Sequence, residues 1–173
     1  MRIIVLSLLI CISAPGIQAK EKWWLVAGGW SYHTSARDYK YDWKNKLNET
    51  HESIGFEYEK ITNGDIYSVE AVTFLNSYHD RSVAFLAGRK WDYWYGGLGV
   101  KIGAATGYKE KKFYNIYHKK RRINNGNNGV LFLAMPFYTI DLGRLRGDFA
   151  FVPRSGADRT SSHVFIFTAK ILL

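Results

Sequence analysis

The sequence predicts an all-β protein that folds as an eight-stranded antiparallel transmembrane β-barrel. Segments with alternating residue classes, rich in Tyr, Trp, Phe, Val and Ile, recur along the chain with turn signals between them. Most have close to the roughly 9–11 residues that a tilted strand needs to cross a bilayer. The connectors alternate between short and long, which is the pattern of outer-membrane barrels.

The first residues, 1–19, have the features of an export signal. An early positive charge at Arg2 precedes an apolar run over Ile3–Ile12, and a small residue follows at Ala19. The apolar run is shorter than the roughly 20 residues that a membrane-spanning helix needs. The pattern therefore predicts a signal peptide over 1–19, cleaved after Ala19, and a single barrel domain over 20–173.

Cys11 is the only cysteine of the chain and lies inside the predicted signal peptide. A lipoprotein signal would also use this cysteine, but Leu9 and Ile10 are bulky where such a cleavage site needs small residues. The mature protein is therefore expected to have no disulfide and no cysteine-based metal or redox chemistry.

The formal net charge of +9 indicates an anionic partner. Nucleic acid is one such partner, but an export signal favours anionic lipid or lipopolysaccharide and predicts no contact with nucleic acid. The alternative is a basic surface that only aids solubility.

Eight strands are predicted in chain order, and their connectors fall into two classes. The strands are Trp23–Thr34, Glu52–Lys60, Asp65–Asn76, Arg81–Lys90, Tyr93–Gly107, Gly129–Thr139, Gly143–Pro153 and Ser162–Leu172. The short connectors are 61–64, 91–92 and 140–142, and the longer ones are 35–51, 77–80, 108–128 and 154–161. The termini and short turns are expected on the periplasmic side, with the longer loops outside the cell.

Alternation along the strands assigns their two faces. Tyr67, Val69, Ala71, Thr73, Leu75, Leu145, Phe149, Phe151, Phe165, Phe167, Ala169 and Ile171 are expected to face lipid. Glu70, Lys101, Arg146, Asp148 and Lys170 are expected to face inward and compensate one another, because unpaired buried charge is costly. Trp23, Trp24, Trp91, Tyr93, Trp94 and Tyr95 are expected to form an interfacial aromatic girdle at the periplasmic ends. A soluble barrel of lipocalin type would have its apolar face inside.

Candidate catalytic residues lie at the outer ends of the first and third predicted strands. His33 ends the first strand, and Asn76 and Ser77 follow the third, so all three are expected at one rim. A histidine near a serine can act as a general base toward that hydroxyl or toward an incoming hydroxyl. The alternative is that His33 is an interfacial amphipathic residue and Ser77 a turn former.

Two segments resemble the PagP-type lipid A palmitoyltransferases. They are Trp30–Arg37 and Val72–Tyr78, at the positions where that family has its histidine and its Asp-Ser pair. Ala134-Met135-Pro136 and Phe151-Val152-Pro153 resemble segments with family prolines, and Val164–Phe167 is similar to the last strand in character.

The resemblance implies a monomeric outer-membrane enzyme that moves a palmitoyl chain from a phospholipid to lipid A without a cofactor or a metal. His33 would be the general base, Ser77 would support the reacting centre, and Asn76 would occupy the family's aspartate position. Asparagine can orient an imidazole by hydrogen bonding, but it has no charge to stabilise an imidazolium.

Pro136 and Pro153 suggest a lateral route for lipid into the barrel. Each removes a backbone donor from one of two adjacent strands, so the ladder between them can be broken locally and can admit an acyl chain. The outer half of the interior is then expected to be lined by small or apolar groups. The alternative is that both prolines lie at strand ends.

A basic stretch in the longest predicted loop is expected to contact the phosphates of lipid A, since guanidinium groups bind phosphate well. Its candidate contacts are Lys119, Lys120, Arg121 and Arg122. Two other functions stay open. A lipid A deacylase is one, because Ser161, Ser162 and His163 form a Ser/His cluster on the last strand, although not in the order of such enzymes. A non-catalytic adhesin or structural barrel is the other.

Overall fold

The computed structural model of the chain is all-β. It describes residues 20–34, 48–77, 79–93, 96–107, 111–113, 121–123, 129–153 and 163–173. The predicted signal peptide over 1–19 lies outside these ranges. Within them, no helix is long and apolar enough to cross a membrane.

The strands close into one antiparallel barrel, which confirms the predicted all-β, eight-stranded antiparallel architecture. The described residues form ten strands, which are β1 Lys20–His33, β2 Thr50–Thr62, β3 Asp65–Leu75, β4 Arg81–Tyr93, β5 Gly96–Ala105, β6 Lys111–Phe113, β7 Arg121–Ile123, β8 Leu131–Leu142, β9 Leu145–Val152 and β10 Val164–Leu172. Eight of them form the barrel in the order β1-β10-β9-β8-β5-β4-β3-β2, and β6 and β7 form a separate two-stranded sheet.

Several strands, among them β4 and β8, continue past their predicted ends because their ladders stay paired. β4 includes Tyr93, which the sequence placed in the next strand, and Tyr93 pairs with Gly96. β8 runs through the predicted 140–142 turn to Leu142, which pairs with Leu145. The turn between β8 and β9 is therefore formed by Gly143 and Arg144, with Gly143 at a φ of 69°, a left-handed conformation that glycine adopts without steric cost.

The two faces of the wall follow the predicted alternation. Tyr67, Val69, Phe149 and Phe165 are between 45% and 57% exposed on the outer face, whereas Glu70, Lys101, Arg146, Asp148 and Lys170 are buried inside. Trp24 corrects the predicted aromatic girdle. It is buried and faces inward while Trp23 is exposed, because successive residues of a strand point to opposite faces.

Three carboxylates and two ammonium groups meet inside the barrel. This central ion layer consists of Glu57, Glu70, Lys101, Asp148 and Lys170. The Lys170 Nζ atom lies 2.6 Å from Glu57, 2.9 Å from Glu70 and 2.6 Å from Asp148. The Lys101 Nζ atom contacts the same three carboxylates at 2.9, 2.6 and 3.2 Å. The inward charges therefore compensate one another, as predicted.

A second set of charges lies closer to the short turns. Glu59 contacts Lys90 at 3.1 Å and Arg146 at 2.6 Å, and it accepts a hydrogen bond from the Trp24 indole at 2.8 Å. The Arg146 guanidinium also contacts Asp141 and lies 3.8 Å from the centre of the Trp24 ring. We call Trp24, Glu59, Lys90, Asp141 and Arg146 the inner ion layer. Paired charges therefore fill the half of the barrel interior that lies toward the short turns, which is called the inner half.

Removing one ammonium from the central ion layer is expected to destabilise the barrel strongly. Lys170→Met keeps an unbranched side chain but leaves three buried carboxylates facing Lys101 alone. We expect a loss of about 3–5 kcal/mol in the free energy of unfolding, the usual effect of leaving buried charge uncompensated. Urea unfolding in lipid vesicles, followed by tryptophan fluorescence, measures it. Lys60→Met is the matched control, because Lys60 is exposed on β2, and an equal loss there would contradict the prediction.

The inward side chains become apolar between the central ion layer and the long-loop end of the barrel. Val26, Val72, Ala84 and Ala105 form a buried cluster against which Phe74, Leu86 and Leu133 pack. On the inward face of β3, for example, Glu70 is followed by Val72, then by Phe74, and then by Asn76 at the long-loop end. These seven residues form an apolar section of the interior, and buried polar side chains lie between it and the long-loop end, namely Ser31, His33, His51, Asn76 and Ser82.

Candidate active site

His33 and Ser77 meet at the long-loop end of the barrel, which is called the rim below. The Ser77 Oγ atom lies 3.0 Å from His33 Nε2, although 44 residues separate them in sequence. β1 and β3 both pair with β2 and run in the same direction, so their outer ends reach the same rim. The structure thus brings together two of the three catalytic residues that the resemblance implies.

The alternation of β1 explains why His33 points inward. Ser31 and His33 are two residues apart and both buried, and the Ser31 Oγ atom lies 3.4 Å from the same Nε2 nitrogen. A neutral imidazole with its proton on Nδ1 accepts a hydrogen bond at Nε2. In that tautomer the Ser77 hydroxyl donates to His33, the arrangement in which a histidine can draw a proton from a hydroxyl.

Asn76 is fully buried, and its side chain organises the turn that carries Ser77. Its Nδ2 atom donates to Ser82 Oγ at 3.0 Å and to the Gly107 carbonyl at 3.2 Å. Its Oδ1 atom accepts from the Asp80 N–H at 3.0 Å. Among the described residues, none of these bonds goes to His33. The structure therefore places Asn76 beside the site as a support for the Ser77 turn.

These partners change the expected effect of Asn76→Asp. From the sequence alone this variant would keep or raise activity, because a carboxylate can orient an imidazole and stabilise its charged form. In the structure a carboxylate could not donate to the Gly107 carbonyl. We expect a loss of about 1–3 kcal/mol in unfolding free energy, the effect of an unsatisfied buried polar group, together with lower activity.

Unfolding and acyl-transfer assays on the same preparation measure both effects of Asn76→Asp. Ser82→Ala serves as the control, since it removes one partner of Asn76 and leaves the Gly107 carbonyl bonded, so its loss is expected to be smaller. A stable Asn76→Asp protein with raised activity would restore the orienting role.

Two residues that the sequence did not single out hold the Ser77 segment in place. The β2–β3 ladder ends at Ile54 and Thr73. Beyond this pair, side chains at the outer end of β2 form the hydrogen bonds to the segment that carries Ser77. His51 Nδ1 hydrogen-bonds the Leu75 carbonyl. Asn48 donates from Nδ2 to the Leu75 and Asn76 carbonyls at 3.4 and 3.3 Å, and from its backbone N–H to the Ser77 carbonyl at 2.8 Å.

We call Asn48 and His51 the rim clamp. Asn48 fell inside a predicted loop, and His51 was one histidine among five, so no local pattern marked either residue. The clamp satisfies all three carbonyls from Leu75 to Ser77, and it thereby fixes Ser77 against His33.

The wall of the barrel is unpaired over the outer part of β8 and β9. Their ladder ends at the pair Phe137 and Ala150, although β8 extends outward to Leu131 and β9 to Val152. β8 stays paired with β5 from Leu131 to Ile140, and β9 stays paired with β10 along its whole length. This β8–β9 gap begins at Pro136, and Pro153 follows the end of β9. A proline has no N–H to donate, which favours a break at this position.

An apolar groove lies on the outer wall beside the gap. It has a volume of about 550 Å³ and is lined by Trp30, Phe149, Ala150, Phe151, Phe165, Ile166 and Phe167. The rings of Phe149 and Phe167 lie 4.9 Å apart, and those of Phe151 and Phe165 lie 5.2 Å apart. The gap is therefore flanked by an aromatic surface on its β9 side.

The remaining candidate residues fall partly outside the described ranges. Lys119 and Lys120 lie outside them, and for Arg121 and Arg122 the structure describes the backbone of β7 only. Ser161 and Ser162 also lie outside the described residues. The His163 ring stacks on Phe151 with a centroid distance of 5.4 Å, at the outer end of β10.

The central ion layer has the donor set of a metal site. One carboxylate oxygen from each of Glu57, Glu70 and Asp148 lies within 4.8 Å of the other two. These three groups already contact the Lys101 and Lys170 ammonium groups, so a metal ion would have to displace one of them. The residues present therefore fit ion pairs better than a metal ion.

No protein-family model matches the chain, and no curated protein is similar enough to match it. An eight-stranded barrel by itself does not assign a function, because one fold supports many activities. The assignment of function therefore depends on the His33 and Ser77 pair and its surroundings.

Proposed function

We propose that this chain is an outer-membrane acyltransferase that moves a palmitoyl or similar fatty acyl chain from a phospholipid to lipid A. The observation that carries the proposal is the 3.0 Å contact between His33 Nε2 and Ser77 Oγ at the rim, next to the apolar section of the interior. This arrangement places a base next to a part of the interior that is lined by apolar side chains. No cofactor is required for such a transfer.

The outer surface of the barrel supports a location in the outer membrane. Large apolar side chains face outward on every wall, including Ile54, Phe85, Ile102, Phe132 and Phe149, each 47% or more exposed. Long loops join the strands at one end and short turns at the other, as in outer-membrane barrels. The lipids of that membrane would then supply both the acyl donor and the lipopolysaccharide acceptor.

The β8–β9 gap supplies a lateral route for the acyl chain. A chain that passes beside Pro136 and Pro153 would reach the apolar section without crossing a hydrogen-bonded ladder. The central ion layer forms the floor of this section, because entry of a hydrocarbon would separate its ion pairs in a dry environment. The ester carbonyl of the donor would stay near the rim, where His33 and Ser77 lie.

At the rim, His33 would act as the general base that draws the proton from the reacting hydroxyl. Ser77 would support the reacting centre through its hydrogen bond to the imidazole. The basic loop that contains Lys119, Lys120, Arg121 and Arg122 would contact the lipid A phosphates.

Mass spectrometry of lipid A tests the proposal. Cells that produce this chain are compared with cells that carry the empty vector, and lipid A is expected to gain the mass of one fatty acyl group while lysophospholipid accumulates. Heat-modifiable migration in detergent gels shows that the barrel has folded. A folded barrel that changes neither lipid would overturn the proposal, and a loss of one acyl chain would instead identify a lipid A deacylase.

A non-catalytic barrel, either structural or adhesive, is the second candidate. It is favoured by the two ion layers, which fill the inner half of the barrel with side chains and salt bridges, as expected of a scaffold. This candidate predicts the same detergent-gel behaviour with unchanged lipid A and phospholipid.

A further inference from the structure

Among the described residues, two hydroxyls lie near the His33 ring, and their distances show which of the two protons the base reaches more readily. Its Nε2 nitrogen lies 3.0 Å from Ser77 Oγ and 3.4 Å from Ser31 Oγ. Of the two, Ser77 is at ordinary hydrogen-bond distance and Ser31 is at the far limit. A base that accepts the Ser77 hydroxyl proton is set to activate Ser77 itself before it meets an acceptor hydroxyl.

Hydrogen bonds also hold the backbone on both sides of Ser77. The rim clamp bonds the carbonyls of Leu75, Asn76 and Ser77 from one side. The Asn76 side chain bonds Ser82, Gly107 and Asp80 from the other side. These bonds hold the backbone that carries Ser77, and a reacting group on a positioned backbone avoids the loss of rate that misplacement causes.

The apolar section beneath the rim completes the arrangement. Its members nearest the rim include Phe74 and Ala84. Phe74 lies two residues from Asn76 on the inward face of β3, and Ala84 lies two residues from Ser82 on the inward face of β4. An acyl group esterified to Ser77 would therefore have hydrocarbon-compatible side chains below it and the lipid headgroups above it. The chain could remain in place while one headgroup leaves and the next arrives.

We propose that Ser77 is the nucleophile of a double-displacement reaction and forms an acyl-serine intermediate. The inference rests on the proposed acyl transfer and names the protein group that carries the chain. In the first half, the Ser77 proton passes to His33 Nε2, and Oγ forms an ester bond with the acyl carbon. The ester bond to the donor glycerol breaks, and the glycerol oxygen takes the proton from His33 and leaves as part of a lysophospholipid.

The second half reverses these steps on a different lipid. The acceptor hydroxyl gives its proton to His33 Nε2 and attacks the acyl carbon of the serine ester. The bond to Ser77 Oγ breaks, and Oγ recovers the proton from the imidazolium. The acyl group has then moved from one oxygen to another, and the protein has returned to its starting state without a net change in protons or electrons.

Trapping the intermediate tests this inference. The purified protein in vesicles of phospholipid alone is quenched with acid and digested, and the peptides are weighed by mass spectrometry. The peptide that contains Ser77 is expected to carry one acyl group, with release of an equivalent amount of lysophospholipid. Adding lipid A is expected to remove the acyl group from the peptide and to yield acylated lipid A.

Three variants sharpen the assignment. Ser77→Ala is expected to lose both the adduct and transfer by several orders of magnitude, as other enzymes do without their nucleophile. Ser77→Cys is expected to give a thioester that neutral hydroxylamine cleaves. This positive signal tests the inference even if the alanine variant does not fold. Thr34→Ala removes another rim hydroxyl, which donates to the His163 carbonyl, and is expected to keep the adduct.

The outcomes separate this inference from the proposed function. If the wild-type protein acylates lipid A and no adduct forms at Ser77, or if folded Ser77→Ala still transfers acyl chains at a comparable rate, the acyl-serine is overturned and the acyltransferase stands. If the wild-type protein gives neither acylated lipid A nor lysophospholipid, the proposed function is overturned and the acyl-serine with it.

Discussion

His33→Ala is expected to abolish acyl transfer to lipid A while the barrel stays folded. Transfer of an acyl group to a hydroxyl needs a base, and loss of a positioned base typically lowers the rate by about 10²–10⁴-fold. Among the described residues, His33 is the histidine whose ring nitrogen contacts the Ser77 hydroxyl. Its side chain faces the interior at the end of β1, where its removal interrupts no strand ladder.

The measurement compares lipid A from cells that produce the two proteins in equal, heat-modifiable amounts. His163→Ala is the matched control, because His163 lies at the same end of the barrel and belongs to the Ser/His cluster of the deacylase alternative. Undiminished transfer by His33→Ala would remove the proposed base. A change in lipid A that depends on His163 and is independent of His33 would point to the deacylase.

Closing the β8–β9 gap is expected to stop lipid entry. If the ladder continued past Phe137 and Ala150 in the same register, Met135 would lie opposite Val152. Both positions share the inward face with Phe137 and Ala150, because they are two residues further along their strands. A protein with Met135→Cys and Val152→Cys can therefore be locked by oxidation if the two edges approach within about 7 Å between their Cα atoms.

The oxidised double variant is expected to lose acyl transfer and to regain it when a reductant is added. A second protein, with Leu142→Cys and Leu145→Cys, is the control, because this pair already faces across the intact ladder beside the turn. Its activity is expected to be unchanged by oxidation. Full activity in the oxidised and cross-linked Met135 and Val152 variant would show that lipid reaches the site elsewhere.

The residue pattern, the strand lengths and the two classes of connector were enough to predict the barrel, and the alternation of residues predicted the faces of its strands. The period of two is a property of the extended backbone, so it can be read from neighbouring residues alone. This is why Glu70, Asp148 and Lys170 could be placed inside, and Val69 and Phe165 outside, before any contact was known. The same rule shows why Trp23 and Trp24 could not both belong to the outer girdle.

At Pro136 the sequence predicted one part of the local structure, and only the strand pairing showed the rest. The missing N–H is a local property, and it predicted a weak ladder at this position. The pairing itself showed that the ladder ends at Phe137 and that β8 nevertheless continues to Leu131 through its bonds with β5. β8 has two neighbouring strands, and the sequence did not indicate that its ladder with β9 would end while its ladder with β5 continued.

The contacts at the rim were decided only by the tertiary structure. The sequence contained five histidines, and it offered no local signal that His51 and Asn48 would bind the carbonyls before Ser77. It also assigned Asn76 to the imidazole, whereas the folded chain directs its amide to Ser82 and Gly107. These bonds join residues that are distant in sequence, so they depend on the register and closure of all eight strands. Alternation determines which face a side chain occupies, and only the closed barrel determines its partner.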